Sequence, residues 1–179
     1  METVKQKEQK AFDTLKGKFG YKNKMAAPRL VKLVVSSSTG TGMKRDKHRN
    51  DFILDRLSKI TGQKGSLRGA KQSVASFKIR QGDAIGVMVT LRGARMYSFL
   101  DKLFNISLPR TKDFRGIERR IVDSVGNMTI PVKEHTIFPE TADEELKDVF
   151  GLGITVVTTA KSKEEALAFG ELIGVPFKA

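Results

Sequence analysis

Apolar residues recur along the chain with two different spacings, and the switches between them lay out the predicted elements. Ala11, Phe12, Leu15 and Phe19 fall at helical spacing with lysines on the other face, so the first twenty residues read as a basic helix stopped by Gly20. After Pro28 the period drops to two. Leu30 to Ser38 is predicted as a strand that passes from Val31, Leu33 and Val35 to Ser36, Ser37 and Ser38, closed by a Thr39-Gly40-Thr41-Gly42 turn. Helical spacing returns at about Asp51 to Ile60, where Ile53, Leu57 and Ile60 face inward and Gly62 ends the run. Gly86 to Gly93 is the clearest strand, with Val87, Val89 and Leu91 on one face and Met88, Thr90 and Arg92 on the other. A helix over Ala94 to Leu108 follows, its stripe made of Met96, Phe99, Leu100 and Leu103, ended by Pro109.

Toward the carboxyl end, a strand near Asn127 to Lys133 contains Pro131, which cannot donate to a ladder and marks an edge or bulge. Glu140 to Asp148 is an acidic loop or short helix, and Ile154 to Ala160 a buried strand. Ser162 opens the last helix with a capping box: its hydroxyl satisfies the Glu165 amide, and that carboxylate returns to the cap's own amide. Gly174 and Pro176 end it. Several connections are too short for parallel crossovers. The expected fold is therefore α+β, an antiparallel or mixed β-sheet with helices packed on one face, in a single domain over 1–179.

Charge narrows the function. Lys plus Arg number 33 against 20 Asp plus Glu, a net +13 with a pI near 10.0. Such an excess condenses onto phosphate polyanions, so nucleic acid is the first partner to consider and an anionic membrane the rival. No stretch approaches the length of an apolar span, and Met1 to Lys10 is charged throughout, so a cytoplasmic protein with no membrane partner is expected. The absence of cysteine excludes disulfides, thiolate zinc sites and cysteine nucleophiles. His48 and His135 lack metal-ligand spacing and read as exposed or locally hydrogen-bonded rings. No metal and no cofactor is expected.

The glycine-rich turn after the first strand lacks both the Walker spacing and the third glycine of a dinucleotide loop. It reads as a strand-ending turn, or as a place where backbone amides meet phosphate. Gln63 to Gly82 carries Lys64, Arg68, Lys71, Lys78 and Arg80 with no acid, and is read as a strand followed by a long basic loop or hairpin around Ser73 to Arg80. Phe77 within it either stacks on a base or anchors the loop on the core, the commoner use. Thr90 and Arg92, on the open face of a strand, can bond sugar hydroxyl and phosphate from a rigid platform. Asp143, Glu144 and Glu145 have nothing apolar nearby to raise a pKa, so they form a solvated or protein-binding patch rather than an acid/base pair.

A run of ordered motifs then resembles one family. Thr61-Gly62-Gln63-Lys64, Ala70-Lys71 with Ser73-Val74-Ala75, Phe77-Lys78-Ile79-Arg80-Gln81-Gly82, Val89-Thr90-Leu91-Arg92-Gly93, Leu108-Pro109-Arg110, Asp113-Phe114-Arg115-Gly116, Ile137-Phe138-Pro139-Glu140 and Thr158-Thr159-Ala160-Lys161 with Pro176-Phe177 carry the likeness. From about Phe19 onward the chain resembles the universal 5S rRNA-binding protein family of the large ribosomal subunit, in its bacterial form. The resemblance implies a non-catalytic protein of the central protuberance. Its sheet side and amino-terminal region would grip 5S rRNA and other large-subunit rRNA, at Gln63, Lys64, Thr90, Arg92 and the end of the first strand. The 73–82 loop, with Lys71, Ser73, Phe77, Lys78 and Arg80, would reach the peptidyl-site tRNA. Residues 110–148, including Arg110, Asp113, Arg115, Asp143 and Glu144, would face the small-subunit head and a basic protein there; neighbouring large-subunit proteins complete the partners. One departure stands out: Ser36 and Ser38 occupy positions where the family usually has Asn and Gly. Ser36 keeps a donor and an acceptor but loses the reach and the fork of an amide. The alternatives are a phosphate-binding enzyme and a free-standing RNA chaperone.

Overall fold

In the computed structural model, which describes residues 2–40, 48–112, 114–142 and 148–178, strand β1 spans Leu30–Ser38 as its two-residue period predicts. Leu33, Val35 and Ser37 are buried, while Val34 and Ser36 are half-buried and Ser38 is exposed. The other strands are β2 (Ser66–Gly69), β3 (Ala84–Leu91), β4 (Met128–Val132) and β5 (Leu152–Thr158). They form one antiparallel sheet in the order β2-β3-β1-β5-β4, which resolves the choice between antiparallel and mixed. Pro131 sits on β4, at an edge of that order, as its missing N–H predicts. Along β5, Leu152, Ile154, Val156 and Thr158 are buried and the residues between them half-buried, the signature of a sheet with one packed face.

The chain divides into two units: Met1–Leu33 with Arg92–Ile130 and Thr155–Ala179, and Val34–Leu91 with Pro131–Ile154. The first unit holds α1 (Val4–Gln9), α2 (Ala11–Phe19), α4 (Gly93–Lys102) and α5 (Lys163–Ile173). The amino-terminal helix is thus two helices rather than one. Lys10 is the joint (φ −83°, ψ −6°), and tertiary bonds fix the short first piece: Asp101 Oδ1 accepts from the Val4 amide at 2.8 Å, and Glu8 Oε1 from the Leu30 amide at 3.2 Å. Gly20 stops α2 in the left-handed conformation, as predicted. The helix expected to reach Leu108 leaves α geometry after Lys102 and finishes as a π turn over Leu103–Ser107, in which the Leu108 amide donates to the Leu103 carbonyl at 2.9 Å.

The last helix begins at the predicted cap, with Ser162 Oγ accepting the Glu165 amide at 3.2 Å. The second half of the predicted box is replaced. Glu165 Oε2 accepts the Lys161 amide at 2.7 Å, and its other oxygen receives the Tyr21 hydroxyl, fastening the segment after α2 to α5. A full capping box does occur, at Thr3 and Gln6 of α1.

The second unit contains α3 (Arg49–Thr61), longer by a residue or two at each end than its periodicity suggested, and capped by left-handed Gly62. Ile53, Leu57 and Ile60 are at most 1% exposed, so truncating one to Ala would cost about 2–5 kcal/mol. His135 is fully buried, stacked on Phe150 with centroids 4.0 Å apart, and its Nδ1 accepts the Phe150 amide at 3.4 Å. It is the locally hydrogen-bonded ring the sequence suggested.

Candidate nucleic-acid interface

In the second unit the end of β1 splits its three serines by the strand's alternation. Ser37 points inward and donates to the Gly151 carbonyl at 2.9 Å. Ser36, on the opposite face, donates to the Gly153 carbonyl at 3.4 Å, so its proton is committed while its lone pairs remain able to accept. Ser38 is exposed. Beyond it, residues 41–42 of the glycine-rich turn lie outside the described residues; Thr39 is tied back through its amide to the Ile85 carbonyl at 2.9 Å.

Gln63 and Lys64 follow the left-handed glycine cap of α3. Thr61 steadies that turn, its hydroxyl bonding the Leu57 carbonyl at 2.6 Å and the Gln63 carbonyl at 3.1 Å. The Gln63 amide group then donates to the backbone carbonyl of Thr90 at 3.0 Å, so these two residues, 27 apart in sequence and both expected at the site, come together. Lys64 is exposed, and Thr90 half-buried on the open side of β3. Gly65 allows the close passage, since a Cβ there would stand 3.1 Å from Val87 and Val89.

Of the two readings of the basic segment, loop or hairpin, the structure shows the hairpin, which continues the β2–β3 ladder. Ala70 and Asp83 extend the ladder with a 2.8 Å bond, and Val74 pairs with Ile79 through bonds of 2.9 and 3.2 Å. Ser73 Oγ accepts the Gln81 amide at 2.9 Å, and Asp83 Oδ2 the Arg80 amide at 2.8 Å. A single turn, Ala75–Phe77, forms the tip, and Lys78 reverses the chain with φ of +51°, a rare conformation for a residue with a Cβ. Lys71, Ser73, Lys78 and Arg80 are all exposed or half-exposed on this framework. Phe77 is 59% exposed and does not anchor the loop on the core.

Arg92 belongs to the first unit and lies one residue past β3, as the extended cap of α4 rather than a strand residue. Its side chain is exposed, as are those of Arg110 and Arg115. Asp113, Asp143 and Glu144 fall outside the described residues. On α2, Lys16 lies over the Phe12 ring at 5.4 Å and Lys18 over the Phe19 ring at 5.6 Å, so the basic side of this helix is partly ordered by its own aromatics. The shifted tyrosines move away from neutral pH: burial and Glu8 push the Tyr97 hydroxyl up to about 12, and burial and Glu165 raise Tyr21. Both tyrosines therefore stay neutral donors.

Family comparisons decide what this arrangement belongs to. A model of the ribosomal protein L5 family matches residues 23–80, and a second model, for the C-terminus of the same ribosomal family, matches residues 84–177. The chain belongs to the ribosomal protein L5 family. A "Large ribosomal subunit protein uL5" of Heliobacterium modesticaldum is 48% identical over 162 residues, 90% of this chain and 89% of the relative. Proteins of the same name from Thermoanaerobacter sp. and Thermotoga sp. are 45% and 44% identical, covering 95% and 97% of this chain and 94% of each relative. The L5 family is structural, so the reading of the Ser38 to Gly42 turn as an enzyme's phosphate loop falls. The boundary between the two family models, 80 to 84, lies in the hairpin and does not coincide with the units, which part at 91 and 92. Sequence reasoning on this L5-family chain missed the Gln63–Thr90 bond and the framework of the loop, because side-chain to backbone bonds across 27 residues leave no periodicity.

Proposed function

We propose that this L5-family protein is a non-catalytic, cytoplasmic component of the large ribosomal subunit that binds 5S rRNA and adjoining large-subunit rRNA through the Ser36 to Ser38 strand end, Gln63, Lys64, Thr90 and Arg92. The basic hairpin reaches the peptidyl-site tRNA, and residues 110–148 face the small-subunit head. The observation that carries this reading is a half-exposed threonine whose own backbone carbonyl is held by Gln63, beside exposed Lys64. Fixed donors and acceptors of this kind read ribose and phosphate, whereas free surface lysines only attract.

The test is 5S rRNA affinity of the purified chain. Thr90→Ala and Arg92→Ala should each weaken it by about 1–3 kcal/mol. Unchanged affinity in both variants would remove the sheet from the interface.

A further inference from the structure

The 110–148 stretch carries two opposite charges. Arg110 to Arg120 holds Arg110, Lys112, Arg115, Arg119 and Arg120 against Asp113 and Glu118, whereas Glu140 to Asp148 holds Glu140, Asp143, Glu144, Glu145 and Asp148 against Lys147. The two halves also belong to different units, divided at Ile130 and Pro131. A basic protein is attracted by the second half and repelled by the first.

Within the first half, the backbone at Gly116 and Ile117 is fixed against the closing residues. Ile117 is buried and pairs in parallel with Phe177; its amide donates to the Pro176 carbonyl at 2.7 Å and its carbonyl accepts from the Lys178 amide at 2.8 Å. Gly116, with φ of +91°, permits this approach, because a Cβ there would lie 2.8 Å from the Lys178 backbone. Exposed Lys178 is thereby set beside exposed Arg115. Arg119 is paired with Glu171 at 3.0 Å and Arg120 with Glu118, but among the described residues no ion pair engages Arg110, Lys112 or Arg115. Nor does this stretch offer the apolar anchor of a protein interface, since Ile117 is buried and Phe114 half-buried.

We propose that Arg110, Lys112 and Arg115, together with Lys178, form a separate docking surface for the sugar-phosphate backbone of an RNA helix, read by charge and shape and not by sequence. It rests on the function proposed above only in that a structured RNA lies within reach. Arginine forks match phosphate oxygens in pairs, and Arg110 and Arg115, exposed and engaged by no ion pair among the described residues, gain most from a polyanion.

The full-length chain is titrated with a fluorescent RNA duplex of arbitrary sequence across a salt series. Replacing Arg110→Gln and Arg115→Gln together should weaken binding about fivefold or more and reduce the salt slope by roughly 1 per lost contact. Removing the same charge from the same unit, with Lys161→Gln and Lys163→Gln, should cost less than about twofold if position matters beyond net charge. Thermal melts of both variants check that the fold survives. Equal losses from the two pairs would mean bulk charge alone, and no loss from either would leave a protein as the partner; both overturn the proposal. Capture of 5S rRNA by the wild-type chain is measured alongside. A chain that takes 5S rRNA but ignores the duplex sinks this inference alone, and the reverse sinks the 5S reading alone.

Discussion

Gln63, expected from its motif to line an RNA contact, also makes a structural bond that no motif indicated. Its amide donates to the Thr90 carbonyl and so ties the turn after α3 to the end of β3. Gln63→Ala should cost roughly 0.5–1.5 kcal/mol in a denaturant titration, even without RNA. Asp123 organises the turn before β4: Oδ1 accepts the Val125 amide at 3.0 Å and the Asn127 amide at 2.7 Å. Desolvation pushes its carboxyl up, yet the bonds from Asn127, Val125 and Gly126 outweigh it and hold the value below the usual Asp range. The folded value being the lower one, the carboxylate's stabilisation is present above the unfolded value of about 3.9 and lost as pH falls through the folded one. In an NMR titration the Val125 and Asn127 amides should keep their native shifts down to a pH below that of an exposed aspartate. Gly116→Ala, facing both left-handed backbone and the Lys178 contact, should lower stability by about 1–3 kcal/mol in a thermal melt.

Elements were legible where periodicity alone decides them. β1 matched its alternation from Leu33 to Ser38, although Val31, expected on the face of Leu33 and Val35, is 45% exposed while Leu30 is buried, and α3 matched its inward Ile53, Leu57 and Ile60. The break at Lys10 was not, because apolar spacing continues across it and the bend depends on Asp101, some 97 residues from the amide it accepts. The π turn was equally silent, since one widened turn leaves Leu103 and Phe104 still buried. The hairpin was legible as basic and long, but its ladder, with Val74 opposite Ile79, and exposed Phe77 needed coordinates. Substituting Lys71, Lys78 and Arg80 together should weaken tRNA retention while sparing 5S rRNA capture, measured by filter binding of each RNA. Loss of both would mean the two surfaces are one. Phe77→Ala should leave stability within about 0.5 kcal/mol, as expected for an exposed ring, and still weaken tRNA binding if it stacks on a base.

For the whole molecule, the net charge of +13 pointed to polyanions before any element was assigned, and that inference depends on composition alone. The salt dependence of 5S rRNA binding should be steep, falling by roughly 0.7 to 0.9 in log affinity per decade of salt for each phosphate neutralised. How the chain is shared between its units was not legible, because it depends on which distant stretches meet. The first unit draws on the opening residues, a middle stretch and the closing residues, whereas the second is finished at Ile154. During synthesis, then, the second unit has all its material before the first does. The earliest helices to emerge must wait for the last one to be made, since the carboxylate that receives the Tyr21 hydroxyl sits at Glu165. A nascent chain halted at Ile154 would leave Tyr21 without that seat, and α1 and α2 would exchange their amide hydrogens far faster than in the finished protein.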